Sequence, residues 1–131
     1  SGHSGALAII HAESPEDCVS SMVTMMLMTG IRLSTEVITK QVVRAIDLIV
    51  HIELFSDGVR CITHISDFTF DDKTQDGKLE HVFEFVQDKI DDEGAVTGHM
   101  VMSGHKPSFY KKFVKKNIAF PEGFFESKVG E

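Results

Sequence analysis

The sequence predicts a mixed α/β domain, and three observations carry that expectation. The run Ala6-Leu7-Ala8-Ile9-Ile10 is apolar at every position and of strand length, with His3 between glycines before it and His11 closing it. Being apolar on both faces, it suits a strand covered on both sides, as in a parallel sheet. Ser14-Pro15-Glu16-Asp17 then sets out a helix start in order: a capping hydroxyl, a proline at the first position, and carboxylates where the positive helix end favours them. Farther on, Asp57-Gly58 separates two stretches rich in β-branched and aromatic residues, the signature of a hairpin.

The elements follow in sequence. The first helix carries Cys18, Met22, Met25 and Met26 on one face, widened by Val19, Val23 and Leu27, and Gly30 supplies a left-handed stop. Its four methionines, Met28 included, read as core packing. A second helix is capped by Ser34, is apolar at Val37, Ile38, Val42, Val43, Ala45 and Ile46, and ends near Asp47. Residues 48–55 and 59–70 are the two arms of the hairpin. A two-residue turn at Asp57-Gly58 would set His51 opposite His64. Residues 71–78 read as a polar loop, 79–86 as a strand, 88–93 as an acidic loop and 95–102 as a last strand. Gly104-His105-Lys106-Pro107 then breaks the chain before a basic helix from Pro107 to Asn117, apolar at Phe109, Tyr110, Phe113 and Val114. Phe124 and Phe125 belong to a terminal turn that packs back on the core.

Composition narrows the function. With 131 residues the chain is one domain's worth, and with 42% hydrophobic and 25% charged residues it reads as a soluble globular protein without a membrane span. A net charge of −7 argues against a nucleic-acid or anionic-membrane surface. Lys111, Lys112, Lys115 and Lys116 form one basic helix face, read as solvated. Cys18 and Cys61 lack metal spacing and point to free thiols in a reducing compartment. Ser1 in place of methionine, with no basic and apolar leader after it, leads us to expect a piece of a longer protein.

Several chemistries fail at the level of residue type. A phosphate loop needs glycine, four residues, then Gly-Lys-Ser/Thr, but Gly77-Lys78 is followed by Leu79. Asp72, Thr74, Asp76 and Gly77 begin like a calcium loop, yet Phe83 stands where a bidentate glutamate is required. Gly2-His3-Ser4-Gly5 is not a hydrolase elbow, which must follow a strand. The pair His51 and His64 has no evident third and fourth ligand, and reads as a surface pair rather than a metal site. His3 and His11 remain as strand-end residues that are either plain polar groups or donors to an anion such as phosphate.

The arrangement Gly2-His3-Ser4-Gly5, five apolar residues, His11-Ala12 resembles the His box of the secretion-superfamily ATPases that power type II/IV secretion, Flp-type pili and conjugation. Ser14-Pro15, Leu27-Met28-Thr29-Gly30, Gln41 and residues 45–50 stand where this family carries similar residues. Asp57-Gly58, Arg60, Gly98, Gly104, Pro107 and Pro121 follow in the family's order. The resemblance implies that residues 1–70 are the back half of a RecA-like nucleotide-binding domain (strand, helix, helix, hairpin). Residues 71–131 would then be a small α+β C-terminal extension. It further implies an ATP- and magnesium-dependent parent, assembled as a hexameric ring at the cytoplasmic face of the cell membrane with membrane components of the secretion machinery. The phosphate loop and acidic magnesium strand would lie in the rest of that parent, so the isolated chain is expected to be inactive and to hold no cofactor or metal. Carried over by position, His3 and His11 become phosphate-side sensing or coupling residues, and Gly2, His3, Gly5 and His11 the cofactor-side set. The alternative is a non-enzymatic α/β interaction module in which the histidines are structural and the basic helix docks an acidic partner. An orphaned apolar strand at the N-terminus also predicts self-association or local disorder there.

Overall fold

The computed structural model describes residues 5–74 and 76–126, in which two helices precede a four-stranded meander and a short third helix. Helix α1 (Pro15–Met28) starts as its sequence dictates. Ser14 Oγ accepts from the Asp17 N–H at 3.0 Å, and Asp17 Oδ2 accepts from the Glu13 N–H at 3.1 Å. Gly30, at φ +77°, ends it by donating to the Leu27 carbonyl. Helix α2 (Thr35–Ala45) is capped by Ser34, whose hydroxyl accepts from the Val37 N–H at 3.3 Å.

Strands β1 (Leu48–Leu54), β2 (Arg60–Asp71), β3 (Asp76–Ile90) and β4 (Val96–Met102) pair antiparallel in the order β1-β2-β3-β4. Alternation along β2 turns Ser66, Phe68 and Phe70 to one face and Asp67 to the other. Helix α2 covers the first face. Ile38, Val42 and Val43 are buried there with Cys18 of α1 and Ile49 and Phe68 of the sheet, and Lys40 and Arg44 stack on the Phe70 ring. The opposite face receives residues 105–126, including α3 (Tyr110–Lys115) and a cluster of aromatic rings that reaches the sheet where Phe124 meets Phe83.

The class is mixed α/β as anticipated, but the sheet is antiparallel throughout. Residues 5–12 form neither helix nor strand, and Leu7 and Ile9 are 103% and 96% exposed, so the expected first strand is not formed. A strand exists only through a neighbour, and the meander pairs each of its strands with the next in sequence, leaving none beside Ala6–Ile10.

Other differences have equally local causes. Met25 and Met28 are exposed, because α1 packs chiefly against α2, with a smaller contact to β1. The polar loop expected over residues 71–78 shrinks to a tight connection, since β2 and β3 stay paired out to Asp71 and Asp76. The basic helix is shorter than its pattern, with a turn from Pro107 to Tyr110 ahead of it and Asn117 at φ +56° after it.

Both outer hairpins close through three-residue loops. In the first, the Phe55 N–H donates to the Val59 carbonyl and Gly58 sits at φ +84°; in the second, Asp91 and Ala95 bond in the same way around Gly94 at φ +86°. A three-residue loop shifts the first hairpin by one residue from the expected register, giving Leu54 opposite Arg60 and Ile52 opposite Ile62. A bulge at Thr63 then takes up the extra residue and restores His51 opposite His64.

Candidate functional site

Of the residues that the His-box pattern singles out, Gly2 and His3 lie outside the described residues. Gly5 has φ +113° with open space around it, and the His11 side chain is exposed with no hydrogen bond, ion pair or ring contact. The described part of the chain therefore brings no second polar group to His11.

Two polar clusters are built instead on the two faces of the sheet. On the helix-covered face, His51, His64 and His81 form a row across three strands, with ring centroids 6.0 Å and 4.7 Å apart. His51 and His64 meet through the restored register. His81 joins because a second bulge, at Val82, brings it opposite Ser66, whose hydroxyl is 2.7 Å from His81 Nδ1. Thr63 donates its hydroxyl to Glu53 Oε1 at 3.0 Å, so the same oxygen can only accept from His64 Nδ1, 3.0 Å away, which fixes the proton on that nitrogen. Glu84 lies 3.7 Å from His64 Nε2, and Glu16, in the first turn of α1, 3.7 Å from His81 Nε2. His51 is 8% exposed; its Nε2 has no hydrogen bond, and the nearest carboxylate oxygen, on Glu53, is 3.5 Å away. Among the described residues, no group of three His, Cys, Asp or Glu side chains is placed to hold a metal ion.

The second cluster lies on the opposite face. Asp67, fully buried in β2, accepts three hydrogen bonds from the segment after β4: His105 Nε2 at 2.8 Å, the Ser108 N–H at 2.8 Å and Ser108 Oγ at 2.9 Å. The other ring nitrogen of His105, Nδ1, is 2.5 Å from Glu80 Oε2. Lys78 pairs with the second oxygen of Glu80, and that contact raises the lysine's pKa. Ser108 bonds to the aspartate and not to the imidazole, so these residues do not form a nucleophilic triad.

No protein-family model matches this chain, and no curated protein matches it. The site is accordingly read from its own chemistry. A cleft of about 400 Å³ lies beside Lys106, Tyr110, Phe120, Phe124, Phe125 and Glu126, and Lys106 Nζ lies over the Tyr110 ring, 4.4 Å from its centre. No helix among the described residues is long and apolar enough to cross a membrane.

The signal for the second cluster was present in part. A carboxylate between Ile65 and Phe68 in a strand demands a partner, because a buried charge without one is costly. What names the partner is 38 residues away, in the Gly104 to Pro107 stretch that reads only as a break.

Proposed function

We propose that this chain is the C-terminal part of a secretion-superfamily ATPase, the back half of a RecA-like domain with its extension, which couples ATP hydrolysis to protein export or pilus assembly. In that reading the rest of the parent supplies the phosphate loop, the magnesium-side carboxylates and the strands that would flank Ala6–Ile10. His3 and His11 stand beside the nucleotide's phosphates as sensing or coupling residues, and the parent acts as a hexameric ring at the cytoplasmic face of the cell membrane. The observation that carries the reading is the exposure of Leu7 and Ile9 in an apolar run directly behind the His-box glycine, a run with the composition of a buried strand and no strand beside it.

The test is ATP hydrolysis by the full-length parent, wild type against His3→Ala and His11→Ala, with nucleotide binding measured in parallel on the 131-residue chain. Loss of turnover in folded variants, with no binding by the isolated chain, supports the proposal; variants that hydrolyse like wild type overturn the role of the histidines. A second reading, a non-enzymatic interaction module, is favoured by one observation. Leu48, Val50, Ile52 and Leu54 line one side of the edge strand β1 and are each more than 40% exposed. A parent without a phosphate loop or ATPase activity would decide for the module.

A further inference from the structure

The cleft beside Tyr110 belongs to neither polar cluster, and most of its wall is aromatic. We propose that it is a binding site for an organic cation with a quaternary ammonium head, held by the faces of Tyr110 and its neighbouring rings and by the carboxylate of Glu126. This inference does not rest on the ATPase reading.

Two separate constraints build the walls. On one side, His105 and Ser108 are both tied to Asp67, which fixes the chain on either side of Lys106 and leads it into α3 with Tyr110 at its start. On the other side, the chain after Phe120 turns twice: the Phe124 N–H donates to the Pro121 carbonyl at 3.1 Å, and the Glu126 N–H to the Gly123 carbonyl at 3.0 Å. Gly123 stands at φ +73°, and a Cβ there would come within 3.2 Å of Glu126 Oε2, so the glycine leaves room for the carboxylate to fold back over the turn. Tyr110, Phe120 and Phe124 are inclined by only 31° and 32° from one to the next, while Phe125 stands at 90° to Tyr110 and 87° to Phe124. The rings thus form a corner, and all four are half-buried, each with surface left to line the cleft.

The ligand class follows from charge and hydration. The face of an aromatic ring carries negative potential and attracts a cation within about 6 Å of its centre, and Lys106 Nζ occupies that position over Tyr110 at 4.4 Å. Among the described residues Lys106 makes no ion pair, although Glu122 and Glu126 line the same cleft, and neither of these carboxylates has a side-chain partner there. The lysine is therefore a stand-in that shows what the ring face takes. When it swings out to solvent, the cleft presents two carboxylates and no compensating charge. Lys106 is kept in place by its tether to the backbone; a free primary ammonium is strongly hydrated, and the rings offer no acceptors for its N–H groups. A quaternary head has no N–H to satisfy, spreads its charge over methyl groups that suit apolar walls, and fits within about 400 Å³.

Choline at constant total chloride is the probe, and its neutral isostere, with a tert-butyl group in place of the trimethylammonium head, is the control. Between ring faces the N-methyl protons of choline are shielded, so their upfield shift in proton NMR, titrated on the 131-residue chain, measures occupancy. The expected result is a saturable shift for choline and none for the isostere. Lys106→Ala removes the resident cation and should tighten binding by about two- to fivefold, the competition that an exposed contact of this kind sets up. Glu126→Gln should weaken it by about twofold. Both residues are exposed, so neither change touches the core. No shift even with Lys106→Ala, an equal shift for the neutral isostere, or an affinity that either substitution leaves unmoved overturns the proposal.

Discussion

Replacing Ile38 by alanine tests whether α2 is held to the sheet by burial of one side chain. Ile38 is 0% exposed in a core whose other members are Cys18, Val42, Val43, Ile49, Phe68 and Val82. Removing three carbons forfeits roughly 0.8 kcal/mol each, about 2.4 kcal/mol in all. The cavity left among Val42 and its neighbours adds about 1 kcal/mol, and the higher helix propensity of alanine returns about 0.4 kcal/mol. A net loss of about 3 kcal/mol follows, a large share of the roughly 5–15 kcal/mol that stabilises an ordinary domain. Val37, next along the helix and 39% exposed, is the internal control: its alanine variant should lie within about 0.5 kcal/mol of wild type. Urea unfolding followed by far-UV circular dichroism, compared at a common slope, measures both. Equal losses at the two positions, or a loss below about 1 kcal/mol for Ile38→Ala, would refute the assignment of the core to this face.

Three further outcomes are expected. The Asp57 carboxyl is held below its usual range by the backbone N–H of Val96 and then that of Val59, so its contribution is present above about pH 4 and is lost as the pH falls through its lowered folded value. Asp57→Asn should accordingly melt earlier than wild type at pH 7, with the gap closing toward pH 2; a gap that does not change with pH would exclude this role. Burial first, and Asp17 second, push the Cys18 thiol up, so a thiol reagent at pH 8 should modify Cys61 at least about tenfold faster, and equal rates in the folded protein would contradict the burial of Cys18. Leu7→Ser with Ile9→Ser should leave the melting temperature unchanged while reducing self-association in size-exclusion with light scattering; a wild-type chain that is already a clean monomer would remove the basis for that expectation.

What could be read from the sequence was local. Ser14 and Ser34 both cap their helices, because a cap depends on residues three apart. The meeting of His51 and His64 was legible for a less direct reason: the two-residue turn assumed for Asp57-Gly58 is a three-residue loop, and the Thr63 bulge cancels the displacement. His81 could not be added to that pair, since its place depends on a further bulge that no turn signal announces. The run Ala6–Ile10 has the composition of a strand, but composition does not supply a neighbour. Asp67 reads as a polar interruption until Ser108 and His105 are folded back over it.

The loop and bulge of the first hairpin have a joint consequence. Gly58, in its left-handed conformation, selects the longer loop and pushes Arg60, Cys61 and Ile62 one place along. Thr63 absorbs that displacement as an expansion joint absorbs the creep of a bridge deck. The one extra residue of the loop is taken up within residues 55–63, and the rows beyond, from His51 and His64 to Leu48 and Asp67, stay in the alignment that a two-residue turn would give. The polar rows of the sheet therefore depend on the loop and the bulge together, and deleting Thr63 alone should leave a regular ladder from Leu54 to Leu48 in the register of the three-residue loop.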